Sequence, residues 1–301
     1  MASSALASPW SLRLLKFQEQ ASPAAARSST RHALLNSSLF SANQYSSPIW
    51  LRFGGGGLPR IRCDHSCFEV KSVGYHPPGT QFNLLKDVSF SLPEKSFGLI
   101  FGQSGSGKTT LLQLLAGLNK PTSGSICIQR YGDSGEHKGP PEHLSPEKVG
   151  IVFQFPERYF IADNVLDEIT FGWPRQKVSI QSKEQLAFKL QRAFNWVGLD
   201  RISLDKDPHS LSGGYKRRLA LAIQLVEVPD LLILDEPLAG LDWKARADVV
   251  KLLKHLKREV TILVVSHDLS HGAFFGASGF MDEGVFLSCK ADKCFVSHCF
   301  C

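Results

Sequence analysis

The sequence predicts an α/β fold with a mostly parallel central sheet covered by helices on both faces. Three observations carry that expectation. Short, nearly all-apolar runs at 97–101, 149–153, 231–235 and 260–266 have the texture of strands buried on both faces. Segments with helical spacing lie between and around them, at 109–118, 183–197, 219–226 and 245–256. A glycine-rich loop, Gly102-Gln-Ser-Gly-Ser-Gly-Lys108-Thr109, joins the first of those runs to the first of those helices.

Along the 301 residues, the first 63 stand apart. They open Met-Ala-Ser-Ser and are rich in Ser, Ala and Arg. Through residue 62 they hold seven basic residues against the single acid Glu19. The whole chain has 34 basic and 28 acidic residues, a formal charge of +6, so removing this segment leaves 27 of each. A basic excess confined to a leader is no footprint for nucleic acid, and no nucleic-acid partner is expected. The composition is that of an organelle transit peptide, and Arg60-Ile61-Arg62-Cys63 resembles a plastid processing site. Residues 1–63 are therefore expected to be a transit peptide that places the protein in the chloroplast. A basic unstructured tail is the rival, and the glycine run 54–57 suits a flexible join under either.

From residue 67 the texture changes. Residues 68–73 and 85–92 read as strands, with Val88, Phe90 and Leu92 alternating with polar neighbours. Residues 130–147 are polar and rich in Gly and Pro, which predicts a surface loop. In 183–197, Leu186, Leu190, Ala193, Phe194 and Val197 share one helical face, so a helical region is expected between strands of the sheet. No stretch reaches the roughly 18 apolar residues of a membrane helix, so membrane contact is expected only through a partner. Seven cysteines include none in the motifs below, which argues for a reducing compartment rather than a disulfide framework. Four of them, Cys289, Cys294, Cys299 and Cys301, crowd a tail at 289–301 whose spacing lacks paired zinc knuckles. A metal site there, or at Cys63, His65 and Cys67, is not favoured.

The glycine-rich loop carries the chemistry. Glycines at 102, 105 and 107 let the backbone curl and aim several N–H groups at phosphates, at a helix N-terminus that favours negative charge. Lys108 brings a positive charge to the β- and γ-phosphates and Thr109 a hydroxyl to Mg²⁺. Gly102, Gln103, Ser104, Gly105, Ser106, Gly107, Lys108, Thr109 and Thr110 are the candidate ATP contacts. Leu231-Leu-Ile-Leu-Asp235-Glu236 ends an apolar strand in two acids. Asp235 is placed to reach Mg²⁺ through water, and Glu236 to orient or deprotonate an attacking water.

Further motifs narrow the class. Leu211-Ser212-Gly213-Gly214-Tyr215, followed by Lys216-Arg217-Arg218, resembles the signature of the ABC family of ATPases. The resemblance implies a phosphate-loop NTPase fold of ABC type, with an inserted helical subdomain and an antiparallel N-terminal β portion. It implies an ATP-binding domain over 64–288, with the helical subdomain at about 155–215. It also implies that Ser212, Gly213 and Gly214 bind the γ-phosphate held by an opposite subunit. Gln154 matches the glutamine that touches Mg²⁺ or the attacking water and reports on a transmembrane partner. His267 matches a histidine that contacts the γ-phosphate, Tyr75 a ring stacked on adenine, and Asp242 the acid closing Ala239-Gly-Leu-Asp242. Tyr215 departs from the family's usual Gln, which touches the rate or partner preference more than hydrolysis.

Gln154-Phe-Pro-Glu157 and the stretch 165–172 are similar to the ATPase subunits of energy-coupling-factor transporters, including cobalt and nickel importers. With a plastid leader, the whole resembles the plant non-intrinsic class I ABC ATPases. That resemblance implies a separately encoded transmembrane coupling subunit, a second ATP-binding subunit, and transport of a transition metal or vitamin. A soluble plastid ABC ATPase, such as one for iron–sulfur assembly, is the alternative. The absence of an internal repeat and of a long coiled-coil insertion argues against translation-associated and DNA-repair members.

Overall fold

The computed structural model describes residues 67–80, 82–102, 105–131, 139–173 and 180–267, and the backbone of two strands at 284–290 and 293–298. The expected transit peptide 1–63, His65, Gln103, Ser104, Cys299 and Cys301 lie outside the described residues. The central sheet has the order β10-β9-β3-β8-β7-β6. Its strands are β3 (Phe97–Gly102), β6 (Val149–Val152), β7 (Leu231–Asp235), β8 (Thr261–Ser266), β9 (Gly284–Lys290) and β10 (Lys293–His298). All neighbouring pairs from β9 to β6 run parallel; only the β9–β10 hairpin is antiparallel. A second, antiparallel sheet has the order β2-β1-β4-β5, from β1 (Cys67–Tyr75), β2 (Leu85–Pro93), β4 (Ser123–Gln129) and β5 (Glu142–His143). The expected parallel sheet and antiparallel N-terminal portion are both present.

The all-apolar strands are explained by what covers each face. Leu232, Leu234, Ile262, Val264, Phe97 and Leu99 pack into one core, with helices α3 (Ile180–Val197), α4 (Gly213–Leu225) and α5 (Trp243–Leu256). Their alternate neighbours Leu231, Ile233, Leu263, Val265 and Ile100 pack into a second core, beneath the antiparallel sheet and α1 (Lys108–Leu115). Because successive side chains point to opposite faces, a strand sandwiched in this way needs apolar residues at every position.

Between β6 and β7 the chain passes through α2 (Val165–Ile169), α3 and α4. Buried Glu168 fixes the entry to this region, its Oε2 accepting from the Ile161 and Ala162 amides at 2.9 and 2.7 Å. Asn164 caps α2 by accepting from the Asp167 amide. In α3 the residues Ala193, Phe194 and Val197 are buried, while Leu186 and Leu190 pack partly buried against the same core.

Three features differ from the sequence expectation. Helix α1 ends at Leu115, not near 118, because Gly117 takes a left-handed φ of 70° and its amide turns back to the Leu114 carbonyl. Strand β4 has no predicted counterpart; its exposed start, Ser123 to Ser125, masks the buried Ile126 and Cys127 that pair with β1. Strand β9 runs through the expected domain end at 288, and β10 pairs back on it, so 289–298 adds strands to the central sheet.

Candidate active site

Parallel pairing places the C-terminal ends of β3, β8, β7 and β6 side by side along one sheet edge. That is where ligands bind in open α/β sheets, because the chain leaves each strand there into a loop. Strand β3 runs into the glycine-rich loop, β8 into His267, β7 into Glu236, and β6 into Phe153 and Gln154. Five of the predicted residues, Lys108, Asp235, Glu236, His267 and Gln154, thus come from four strand ends at a single edge.

The described part of the glycine-rich loop is a tight turn into α1. Gly105 and Gly107 hold φ of 81° and 85°, a region an L side chain rarely adopts. A Cβ on Gly107 would also come within 2.8 Å of the Leu85 side chain. The Ser106 hydroxyl is buried and has no hydrogen-bond partner among the described residues. Lys108 Nζ donates to the Gly102 carbonyl at 2.7 Å, folding the ammonium over its own loop. Burial pushes the Lys108 pKa down, and the charges of Glu236 and Asp235 oppose that shift. Thr109 is exposed and Thr110 half-buried at the start of α1.

Glu236 is the most constrained residue of the site. It is 5% exposed and adopts a left-handed φ of 48°, a strained backbone for a non-glycine residue. The donors that hold its carboxylate include the Ser266 hydroxyl and two groups of His267. The buried Ser266 hydroxyl gives to Oε2 at 3.0 Å and the His267 amide to Oε1 at 2.6 Å. The His267 ring nitrogen Nδ1 also meets Oε1, and because a carboxylate only accepts, the ring donates. The His267 side chain is 54% exposed, so it forms the outer wall of this arrangement. Asp235 beside it has a pKa pushed up to about 6, first by burial and then by the Glu236 charge, with Lys108 and His267 pulling the other way.

Sequence reasoning missed Ser266. The signal was present in a polar residue closing an apolar strand, but its target carboxylate lies 30 residues away in sequence. The structure also separates two groups of predicted residues. Tyr75 ends β1 in the antiparallel sheet, half-buried against the second core. Ser212, Gly213 and Gly214 open α4, where Ser212 occupies the N-cap position without making a side-chain capping bond. Its exposed hydroxyl is not used by its own helix. Asp242 does cap a helix: its carboxylate accepts from the Ala245 amide at 2.7 Å at the start of α5. Away from this edge, a cavity of about 240 Å³ sits near the opposite strand ends, beside Glu94, Asp230 and Glu259. No motif reaches it.

The residues fit ATP with a hard cation. Thr109, Gln154 and Asp235 offer hydroxyl, amide and carboxylate oxygens, the donor class that suits Mg²⁺. Among the described residues no group of three or more His, Cys, Asp or Glu forms a metal cage. Mg²⁺ commonly relies on one or two protein oxygens, with substrate phosphates and water completing the shell.

A parallel sheet that gathers such a loop, an Asp–Glu pair and a histidine at one edge defines a phosphate-loop nucleoside triphosphatase. Residues 85–239 match the family model described as ABC transporter. The chain is 78% identical over 220 residues to ABC transporter I family member 11, chloroplastic, of Arabidopsis thaliana, covering 73% of this chain and 79% of that one. It is 38% identical over 203 residues to the energy-coupling factor transporter ATP-binding protein EcfA2 of Streptococcus agalactiae, covering 66% of this chain and 71% of the relative. Its fold is similar to that of cbiO1 from Clostridium perfringens, part of the ABC transporter complex cbiONQ. There the TM-score is 0.62 at 27% identity, over 76% of this chain and 86% of that one. The chain belongs to the ABC transporter family, as an ATP-binding subunit with ATPase activity. The chloroplast location read from the leader agrees with that of the Arabidopsis relative.

Proposed function

We propose that this chain energises a separate transmembrane coupling protein in a chloroplast membrane, working as one of two ATP-binding subunits that share their ATP sites. Kinship to EcfA2 and to a cbiONQ component supports a coupling-factor type of transporter, and in this reading its cargo is a transition metal or vitamin.

In this reading, the glycine-rich loop and Lys108 grip the phosphates, Tyr75 stacks on adenine, and Thr109, Gln154 and Asp235 hold Mg²⁺. The metal supplies charge neutralisation on the β- and γ-phosphates. Ser212, Gly213 and Gly214 reach the γ-phosphate held by the other subunit, with Asp242 on the same face. Glu236 is the base for the attacking water. Its carboxylate is engaged by the Ser266 hydroxyl and by the amide and ring of His267. Transfer of the exposed His267 ring to the γ-phosphate releases Oε1 to accept the water proton, while Ser266 and the main-chain amide keep the carboxylate aimed. The observation that carries the reading is this engagement of a buried, strained Glu236 at the end of β7, next to Asp235.

The test is Glu236→Gln in the leader-free chain with Mg²⁺ and ATP. Turnover is expected to fall by roughly 100-fold or more while ATP affinity is kept, since only the transition state loses a partner. Light scattering is expected to show an ATP-dependent dimer. Sustained phosphate release by Glu236→Gln would remove Glu236 from the role of base.

A further inference from the structure

Arg217 lies in the first turns of α4, just after Ser212-Gly213-Gly214-Tyr215-Lys216, and its side chain points inward. The residue is 5% exposed. Its guanidinium donates to three main-chain carbonyls on two different loops. Nη1 reaches Phe153 O at 3.3 Å and Gln154 O at 2.5 Å, where the chain leaves β6. Nη2 reaches Ala239 O at 3.0 Å, three residues beyond Glu236 on the chain leaving β7. Among the described residues no carboxylate pairs with it. Burial lowers its pKa, and the Glu157 charge opposes that shift.

A dehydrated cation whose hydrogen bonds, among the described residues, all go to carbonyls is an expensive way to fill a core position, and an aliphatic residue would do that at lower cost. What the guanidinium adds is its planar fork, which can span two loops at fixed angles as an ammonium cannot. We propose that Arg217 is a positioning residue. It ties the Ser212 end of α4, which serves the ATP held by the other subunit, to the Gln154 loop and the 237–242 loop, so that one chain's contributions to both shared sites move as one body. The proposal rests on the shared-site reading given above. Tyr75, Lys108 and Thr109 lie on other elements, so ATP gripping does not pass through this tie.

The experiment compares Arg217→Lys and Arg217→Gln with the unaltered leader-free chain. ATP affinity is read with a fluorescent trinitrophenyl-ATP, and steady-state kcat is normalised to the number of ATP-binding sites. The expected result is a Kd within about twofold of the parent and a per-site kcat reduced by roughly tenfold or more, the split of an interaction realised only in the closed arrangement. Lysine keeps the charge and is not expected to restore turnover, because it lacks the fork. A merely structural role would lower the melting temperature and the number of sites but leave per-site kcat unchanged, and that outcome overturns the proposal. Where Arg217→Lys yields little folded protein, Arg217→Gln, which keeps a planar donor, carries the comparison. Glu236→Gln runs in parallel. If it forms no ATP-dependent dimer by light scattering, the shared-site reading itself falls; if the dimer forms while Arg217→Lys works at parental per-site rate, only this proposal falls.

Discussion

Asp235 shows the stability cost of burying a carboxylate at the proposed Mg²⁺ position. Its carboxyl pKa in the folded protein is pushed up to about 6 from an ordinary 3.8, chiefly by burial. The folded state therefore binds the proton more tightly than the unfolded chain does. That contribution is fully present below about pH 4 and is lost as pH rises through about 6. At neutral pH the ligand-free protein holds a carboxylate that disfavours its own charge. Asp235→Asn is expected to stabilise the ligand-free protein by roughly 1–3 kcal/mol at pH 7.5, with the gain vanishing below pH 4. Thermal melts across pH check this, and an unchanged difference at both ends would refute it. In the proposed role of Asp235 the same proton competes with Mg²⁺. Half-maximal ATPase activity of the parent should need about fourfold more Mg²⁺ at pH 5.5 than at pH 7.5.

At the scale of elements, the helices of the 155–225 region both finish the sheet and position the site. Strand β6 ends the sheet's order, so its outer main-chain groups need partners other than a strand. Gln224 of α4 supplies one, its buried Oε1 accepting from the Ile151 amide at 3.1 Å. The other end of that amide group, Nε2, is buried with no hydrogen-bond partner among the described residues. Gln224→Leu would orphan the Ile151 amide but remove the unsatisfied nitrogen, so a net loss of about 1 kcal/mol is expected. Urea denaturation measures it, with ATP affinity unchanged as the companion observation. Helix α4 was legible only from residue 219, since two glycines at its start hide helical propensity. Its first turns carry Arg217, whose partners lie 22 to 64 residues away. No local pattern encodes such pairs.

For the whole molecule, the strand order brings one half of a reaction site to the central sheet edge and leaves the Ser212 hydroxyl exposed at another point. Two separated groups of site residues on one chain are what the proposed sharing of ATP sites with a second subunit requires. No described helix is long and apolar enough to cross a membrane, and the proposed transmembrane partner is open to direct capture. Glu236→Gln held with ATP and used as bait in detergent-solubilised chloroplast membranes is expected to capture a polytopic coupling protein. Capture of soluble scaffold proteins alone would favour the soluble alternative and sink the transport reading.

The sequence by itself determined the phosphate-gripping loop, the Asp235–Glu236 pair, the Ser212 motif and the sandwiched sheet. Each of these is written in contiguous residues, as a period of apolar positions or a fixed order of glycines, hydroxyls and charges. Only the tertiary structure decided that Ser266 and His267 grasp Glu236, that Arg217 bridges two loops, and that the cysteine-bearing end pairs into the sheet as β9 and β10. Those contacts join residues far apart in the chain, and they form only once parallel strands stack their ends at one edge.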